Sequence, residues 1–292
     1  TKIMSISSIQ SKYPSAIWYD SNHGGTNSGT LDNPYTSLST AFNAITSNAN
    51  VIAILNGTHT GTINTPSTLG GTADTLTLVG ESTSAVLSGV LNKATGYDLK
   101  LETLKFYNDG SSAYAISLLS NTSTFEGCVL DNNRASSSLQ NTTHKGFFEG
   151  NNVSIITCRK CVFSVGAGNL TYYGTILGGS ANKGFSQATF EHNTIETQGA
   201  NQLISYYNPS LVTLVFKNNI ISGSGYEYIR YGNAATNTET ISYNCYFNTA
   251  TTTGNARDTA GAIFADPQFV DSPNGDYRLR PSSPCINAGT AS

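Results

Sequence analysis

The residues best suited to chemistry are an adjacent acid and base, Glu191 and His192, with Arg159 and Lys217 at the positions equivalent to Glu191 in neighbouring repeats. A carboxylate beside an imidazole can carry general acid–base catalysis when both groups reach one substrate. Opposite charges on neighbouring strands also pair simply to stabilise a sheet, and we favour this structural explanation. Glu191, His192 and Arg230 are therefore catalytic candidates without an assigned role.

The sequence offers little for the two reactions that cleave polysaccharide chains. Hydrolysis needs two carboxyl groups that flank the scissile bond, yet Asp131 is the one acid that directly follows a repeated strand. Calcium-assisted elimination needs a carboxylate cluster around the cation, and the acids between residues 97 and 260 are scattered. The four histidines are isolated and fit no metal-ligand spacing. We predict no cofactor, and we would expect bound calcium only if the protein is a polysaccharide lyase.

A group of tyrosines on consecutive repeats indicates contact with carbohydrate. A tyrosine ring offers an apolar face to a sugar ring, and its hydroxyl can hydrogen-bond to the sugar. The same side chains could instead complete the core or cover a contact between subunits. The candidates are Tyr172, Tyr173, Tyr206, Tyr207, Tyr228 and Tyr231.

These candidates are positioned by a sequence repeat. A six-residue motif recurs, as at 190–195 and 216–221, and such periods are typical of stacked supersecondary units. A second apolar column follows the motif at Ile116, Ile176, Ile204 and Ile229. Two features at steady offsets favour a parallel β-helix, in which the rest of each coil connects parallel strands. The fourth motif positions are residues 104, 128, 161, 193, 219 and 244.

The fourth motif position predicts a column of stacked side chains. Asn193, Asn219 and Asn244 would bond amide to amide between coils, and we expect them to adopt the left-handed conformation of a tight corner. Cys128 and Cys161 occupy this position on adjacent coils. A strand spacing of about 4.8 Å permits either a disulfide between them or a stack of buried thiols.

The two ends differ from the repeats. Residues 1–75 are predicted to be an N-terminal arm and cap, with residues 1–16 an arm or covering strand and an amphipathic helix at about 37–48. Residues 76–250 hold the coils. Residues 251–292 contain half of the eight prolines and are predicted to cap the C-terminal end, because proline cannot occupy a central strand.

Composition limits the partners. Charged residues make up 11% of the chain and the net charge is −3, which argues against a nucleic-acid partner. No apolar run approaches the ~20 residues of a membrane-spanning helix.

The chain resembles the pectin-lyase-like right-handed parallel β-helix superfamily. Residues 17–21 (Ile-Trp-Tyr-Asp-Ser) and 33–35 (Asn-Pro-Tyr) look like the N-terminal cap of its secreted and virion-associated surface members, and residues 266–289 look like their C-terminal segment. The resemblance implies an all-β, single-stranded right-handed parallel β-helix. It does not choose an activity, since the superfamily includes polysaccharide lyases, glycoside hydrolases, phage tailspikes and non-catalytic surface proteins.

We therefore expect an extracellular or virion-surface protein with a structural and adhesive role, which self-associates as a trimer or filament and contacts polysaccharide. One alternative is a polysaccharide lyase or glycoside hydrolase, including a phage tailspike depolymerase, which would need acids and a base that converge on a groove. The other is a filament subunit without a glycan role, which would bury the tyrosines between copies.

Overall fold

A computed structural model of the chain describes residues 4–70, 74–108, 116–118, 121–132, 147–151, 153–165, 176–177, 185–197, 204–206, 213–223, 229–231, 238–249, 258 and 260–290. The helices are α1 (Ile6–Lys12) and α2 (Leu38–Asn43). The strands are β1 (Ile17–Tyr19), β2 (Val51–Ile54), β3 (Gly57–Thr60), β4 (Ile63–Asn64), β5 (Thr75–Gly80), β6 (Ala85–Ser88), β7 (Leu91–Lys93), β8 (Asp98–Glu102), β9 (Lys105–Asn108), β10 (Ile116–Leu118), β11 (Thr122–Glu126), β12 (Val129–Asn132), β13 (Phe148–Gly150), β14 (Ile155–Arg159), β15 (Val162–Val165), β16 (Gln187–Glu191), β17 (Thr194–Thr197), β18 (Ile204–Tyr206), β19 (Thr213–Lys217), β20 (Ile220–Gly223), β21 (Ile229–Tyr231), β22 (Thr238–Ser242), β23 (Cys245–Phe247), β24 (Ile263–Phe264), β25 (Phe269–Asp271) and β26 (Asp276–Leu279).

Parallel strands stack into long sheets. Sheet 1 has nine strands in the order β1-β2-β5-β8-β11-β14-β16-β19-β22, and sheet 2 has nine in the order β3-β6-β9-β12-β15-β17-β20-β23-β24. Sheet 3 begins with β4-β7-β10-β13 and continues through β18 and β21. Each coil adds one strand to a sheet, in register with the coil before it. The prediction of an all-β parallel β-helix is confirmed.

Apolar side chains on the inner faces of the sheets form the core. The phenylalanines of successive coils contact one another, with ring centroids 6.1 Å apart for both Phe163–Phe190 and Phe190–Phe216. These rings are at most 1% exposed. Because parallel register repeats the same position on each coil, one apolar motif position is enough to fill the core along this stretch.

The second apolar column differs from its prediction at two places. Sheet 3 aligns Ile116 with Phe148, Phe148 with Leu177, and Leu177 with Ile204. The prediction of Ile176 was therefore wrong by one residue, and Phe148, the column residue of the coil with motif position 128, was missed. Ile176 and Leu177 are both fully buried, so apolar character alone could not fix the register there.

The left-handed corner lies one residue earlier than predicted. The third motif position has positive φ. Asn219 and Asn244, at the fourth position, do not have a positive φ. The asparagine amides point inward instead, where they reach the next coil. The residues with positive φ at the corner are Thr103, Gly127, Lys160, His192, Asn218 and Tyr243.

The asparagines of the fourth position form a buried hydrogen-bonded column. The Nδ2 atom of Asn193 donates to Oδ1 of Asn219 at 3.0 Å, and Nδ2 of Asn219 donates to Oδ1 of Asn244 at 3.0 Å. Asp258 ends the column, because its carboxylate accepts from the side chain and the backbone N–H of Asn244, each at 2.8 Å. Cys128 and Cys161 continue the column as free buried thiols.

Both helices cover the first coils. Parallel pairing begins at β1 and continues to β24, so the coils extend on both sides of residues 76–250. Helix α2 packs Ala41 and Phe42 into the main core, and it is shorter than predicted because Thr46 and Ala49 pair across a turn. Residues 1–16 were predicted as an arm or strand, yet α1 forms there and buries Ile9 against the outer face of sheet 1.

A lysine lies inside the solenoid. The side chain of Lys93 is fully buried, and its Nζ donates to the Ala94 carbonyl at 3.2 Å and lies 5.2 Å from the centre of the Tyr97 ring. Burial lowers the pKa of Lys93 to about 8. Between the folded-state pKa and the unfolded-state pKa of Lys93, the unfolded chain binds more protons than the folded chain. The free energy of unfolding therefore rises as pH increases through this range.

We expect the variant Lys93→Met to lose this pH dependence. The free energy of unfolding of the wild type should gain about 2–3 kcal/mol relative to the variant between about pH 7.5 and pH 10. Urea unfolding at both pH values measures the difference, with Lys105→Met, a partly exposed lysine, as the control that shows no such gain. An unchanged difference between wild type and Lys93→Met at the two pH values would contradict the assignment.

Candidate functional site

A groove runs between the corners of the coils and the hairpin formed by β25 and β26. Its volume is about 660 Å³. The coil side is formed by the left-handed corner residues and by residues 82–84, and the hairpin forms the opposite wall. The side chains that matter below are Lys160, His192, Asp276, Tyr277 and Arg278.

A second cavity of about 380 Å³ adjoins the first, and His192 and Thr194 line both. Its walls are the later corners, including Asn218 and Tyr243, and the chain segment that follows β26. Together the two cavities run beside sheet 2 from β6 to β24, which is seven strand intervals. At about 4.8 Å per interval the surface is about 34 Å long. We call the two cavities together the corner groove.

The C-terminal segment is held against the coils by specific contacts. The hydroxyl of Tyr277 donates to the carboxylate of Glu196, and burial together with this carboxylate raises the pKa of Tyr277. Further along, Nδ2 of Asn218 donates to the carbonyl of Thr290 at 3.1 Å, and the N–H of Thr290 donates to Oδ1 of Asn218 at 3.0 Å. These contacts place the outer wall of the corner groove.

The charges of the corner groove are paired. Lys160 contacts Glu126 at 2.8 Å, and Arg278 contacts Asp276 at 2.5 Å. The hydrogen bond from Arg278 lowers the pKa of Asp276 to about 2, so this acid is ionised at neutral pH. Paired charges, hydroxyls and amides can donate and accept hydrogen bonds without favouring a strongly charged ligand. The surface therefore suits a polar ligand that carries many hydroxyl groups.

The structure separates the adjacent residues Glu191 and His192. Glu191 lies on the outer face of sheet 1 between Arg159 at 2.9 Å and Lys217 at 3.2 Å, and it is 5% exposed. Although burial acts to raise it, the pKa of Glu191 is lowered by hydrogen bonds from these two cations. His192 instead lines the corner groove, with Nε2 3.3 Å from Nδ2 of Asn218. The two residues do not share one substrate surface, and the charge-pair explanation fits Glu191.

The remaining sequence candidates stay predictions. Tyr172, Tyr173, Tyr207 and Tyr228 lie outside the described residues. Backbone pairing aligns Tyr206 with Tyr231, and it aligns Ser205 with Arg230, at neighbouring positions of β18 and β21. The side chains of Tyr206, Tyr231 and Arg230 are not among the described parts of the chain.

Sequence reasoning missed the corner groove itself. The third motif position was the available signal, because residues there protrude at a corner and carry the varied side chains of Lys160, His192 and Tyr243. The position of the hairpin wall could not be predicted, because the sequence of residues 265–290 does not indicate which face of the coils the hairpin covers.

Within the described part of the chain, no group of three or more His, Cys, Asp or Glu side chains could hold a metal ion. No helix among the described residues is long and apolar enough to cross a membrane. The sequence matches no protein-family model and no curated protein. The resemblance to the pectin-lyase-like superfamily therefore remains a prediction from the sequence.

Proposed function

We propose that this protein is a non-catalytic, adhesive β-helix of the cell exterior or of a virion surface, and that it binds a polysaccharide along the corner groove. The observation that carries the proposal is the shape of that groove, which is about 34 Å long by its strand spacing and lined by residues from successive coils. A long surface with a repeated lining suits a chain-like ligand better than a compact small molecule.

The chemistry of the corner groove supports a sugar ligand. Sugar hydroxyls both donate and accept hydrogen bonds, which matches a surface whose cations and acids are already paired. The Tyr277 ring packs edge-on against the Phe269 ring, with ring centroids 5.3 Å apart. It offers an aromatic surface at the hairpin wall. Apolar ring faces of sugars pack on such side chains.

The acids of the corner groove favour binding over cleavage. Among its described lining residues Asp276 is the one acid, and Arg278 holds it as an ion pair. Glycoside hydrolysis needs two carboxyl groups on the two sides of one bond. Glu191, the catalytic candidate from the sequence, forms ion pairs with two cations on the outer face of sheet 1.

An exposed aromatic side chain supports self-association. Phe264 is 67% exposed on β24, which ends sheet 2, and its ring stacks on Tyr246 at 5.6 Å. Among the described residues no further strand pairs with β24, and an unpaired sheet edge with an apolar side chain is a template for pairing with another chain. Sedimentation velocity over a range of concentrations tests this, and a monomer throughout would contradict it.

The experiment for the proposed function is a panel of acidic and neutral polysaccharides, with and without calcium. We expect at least one glycan to bind without new reducing ends or unsaturated products. Lys160→Ala should weaken that binding by about 2- to 10-fold, since it removes one hydrogen-bonding group. Lys105→Ala, which removes an ion-paired lysine outside the groove lining, is the matched control and should bind like the wild type.

Each other outcome of the panel changes the proposal. Product release from any glycan would show that the protein is a lyase or hydrolase. Folded protein that binds none of the glycans would favour a filament subunit without a glycan role. Equal weakening by both lysine variants would place binding outside the corner groove.

A further inference from the structure

Two cysteines distant in sequence line one cavity at the C-terminal end of the solenoid. Cys245 is the first residue of β23, and Cys285 lies in the segment that follows β26. Both line the second cavity of the corner groove. The contact between Asn218 and Thr290 holds this segment against the coil corners.

The two thiols lie near each other, and they differ in exposure. Cys245 and Cys285 line the same cavity and lie close enough for each to shift the pKa of the other, and Sγ of Cys245 donates to the Ala265 carbonyl at 3.4 Å. Cys245 is 3% exposed, whereas Cys285 is partly exposed to solvent. An oxidant can therefore reach Cys285 in the folded protein, with Cys245 directly behind it.

The electrostatics assign the first attack to Cys285. The interaction with the Cys245 thiol lowers the pKa of Cys285, with a further contribution from Ser283 and against the effect of burial. The same interaction and burial raise the pKa of Cys245. The thiolate is the nucleophile in disulfide exchange, so the more exposed sulfur is also the more reactive one.

The other three cysteines lack this combination. Cys128, Cys158 and Cys161 are at most 1% exposed in the core. Burial raises the pKa values of the Cys158 and Cys161 thiols well above the ordinary value for cysteine. The adjacent-coil pair Cys128 and Cys161 is thus shielded from solvent oxidants while the chain is folded.

We propose that Cys245 and Cys285 are an oxidation site whose disulfide ties the C-terminal segment covalently to the last coils. The Cys285 thiolate attacks a low-molecular-weight disulfide such as oxidised glutathione, and one small thiolate leaves. Cys245 loses its proton and attacks the mixed disulfide at Cys285, and the second small thiolate leaves. The protein loses two thiol protons and two electrons, and the small disulfide is reduced to two thiols.

The cross-link has a structural consequence that does not rest on the proposed glycan function. It closes a loop of about 40 residues, and closing a loop of this length restricts the unfolded chain. It also fixes the outer wall of the second cavity. The oxidised protein should therefore be more stable than the reduced protein.

The sequence permits a direct test, because each of the five cysteines falls in its own tryptic peptide. The peptides span residues 106–134, 146–159, 161–183, 231–257 and 279–292. Folded protein is treated with oxidised glutathione, free thiols are blocked, and the protein is digested without reductant. We expect the peptides 231–257 and 279–292 to be joined, and the other three cysteines to be blocked only after denaturation.

A variant separates this cross-link from other oxidation. Cys285→Ser should fold, since the position is partly exposed, and oxidised glutathione should leave its thermal unfolding unchanged. The wild type should gain about 5–10 °C in Tm on oxidation. The proposal is overturned if 231–257 and 279–292 remain separate, if the 106–134 and 161–183 peptides are joined instead, or if Cys285→Ser gains the same Tm.

Discussion

Replacing Asn219 by leucine is expected to lower the free energy of unfolding by about 3–5 kcal/mol. Oδ1 of Asn219 accepts from the backbone N–H and the Nδ2 of Asn193, both at 3.0 Å, and Nδ2 of Asn219 donates to the Phe190 carbonyl and to Asn244. Leucine breaks all four bonds and removes the acceptor of the Asn193 backbone N–H, while Nδ2 of Asn193 keeps the Cys158 carbonyl and Oδ1 of Asn244 keeps the Asn219 backbone N–H. Each unsatisfied buried group costs about 1–3 kcal/mol, and leucine recovers only part of this through its apolar surface.

Asn92→Leu is the matched control for this prediction. Nδ2 of Asn92 donates to Oδ1 of Asn64 at 2.9 Å, which is the same amide-to-amide bond between adjacent coils, but it lies at the surface. Water can replace the lost bond there, so we expect a change below about 1 kcal/mol. Urea unfolding of both variants measures the contrast. Similar losses for the two variants would show that the buried column is not a special source of stability.

The second large effect is expected at Glu102, which attaches α1 to sheet 1. Its carboxylate accepts from Lys12 at 2.7 Å and from the Tyr13 hydroxyl at 2.9 Å, and it contacts Lys100 at 2.6 Å. The side chain of Glu102 is 5% exposed. Glu102→Gln is expected to cost about 2–4 kcal/mol at neutral pH, because it removes the charge that holds two cations in a partly buried site.

The same contacts predict a dependence on pH. Burial acts to raise the pKa of Glu102, but hydrogen bonds from Lys100, Lys12 and Tyr13 lower it below its ordinary value of 4.5. A lowered folded pKa stabilises the folded state above the unfolded pKa, and this stability is lost as pH falls through the folded pKa. The difference between wild type and Glu102→Gln should therefore shrink on acidification, since a protonated glutamate resembles glutamine.

Glu126→Gln provides the control for Glu102 at the same motif position of the next coil. Glu126 pairs with Lys160 at 2.8 Å, but the two side chains are 35% and 69% exposed. Exposed ion pairs contribute about 0–1 kcal/mol, so this variant should be close to wild type at every pH. Urea unfolding between about pH 7 and pH 3 measures both variants. A Glu102→Gln difference that persists unchanged at low pH would contradict the role of the charge.

The fold was predictable because its information is local and repeated. The first motif position supplies the inward phenylalanines, and the third position supplies the corner. The period of the motif in the sequence therefore predicts the parallel stack. Errors arose where the repeat was ambiguous. Ile176 and Leu177 are both apolar and both buried, and the backbone alone decided that Leu177 aligns with Phe148.

The candidate site was less predictable, because its residues belong to different parts of the chain. The pair Glu191 and His192 looked like one site in sequence, but a corner lies between them and directs the two side chains to different faces. Conversely, Lys160 and Asp276 line one groove although more than a hundred positions separate them along the chain.

The sequence by itself determined the parallel stack and the asparagine column, because a repeated position must meet its own copy when coils pair in register. The tertiary structure alone decided the path of the C-terminal segment, and with it the corner groove and the placement of Cys245 and Cys285 in one cavity. That segment has no repeat, so its position depends on which surface of the finished solenoid offers partners such as Glu196 and Asn218.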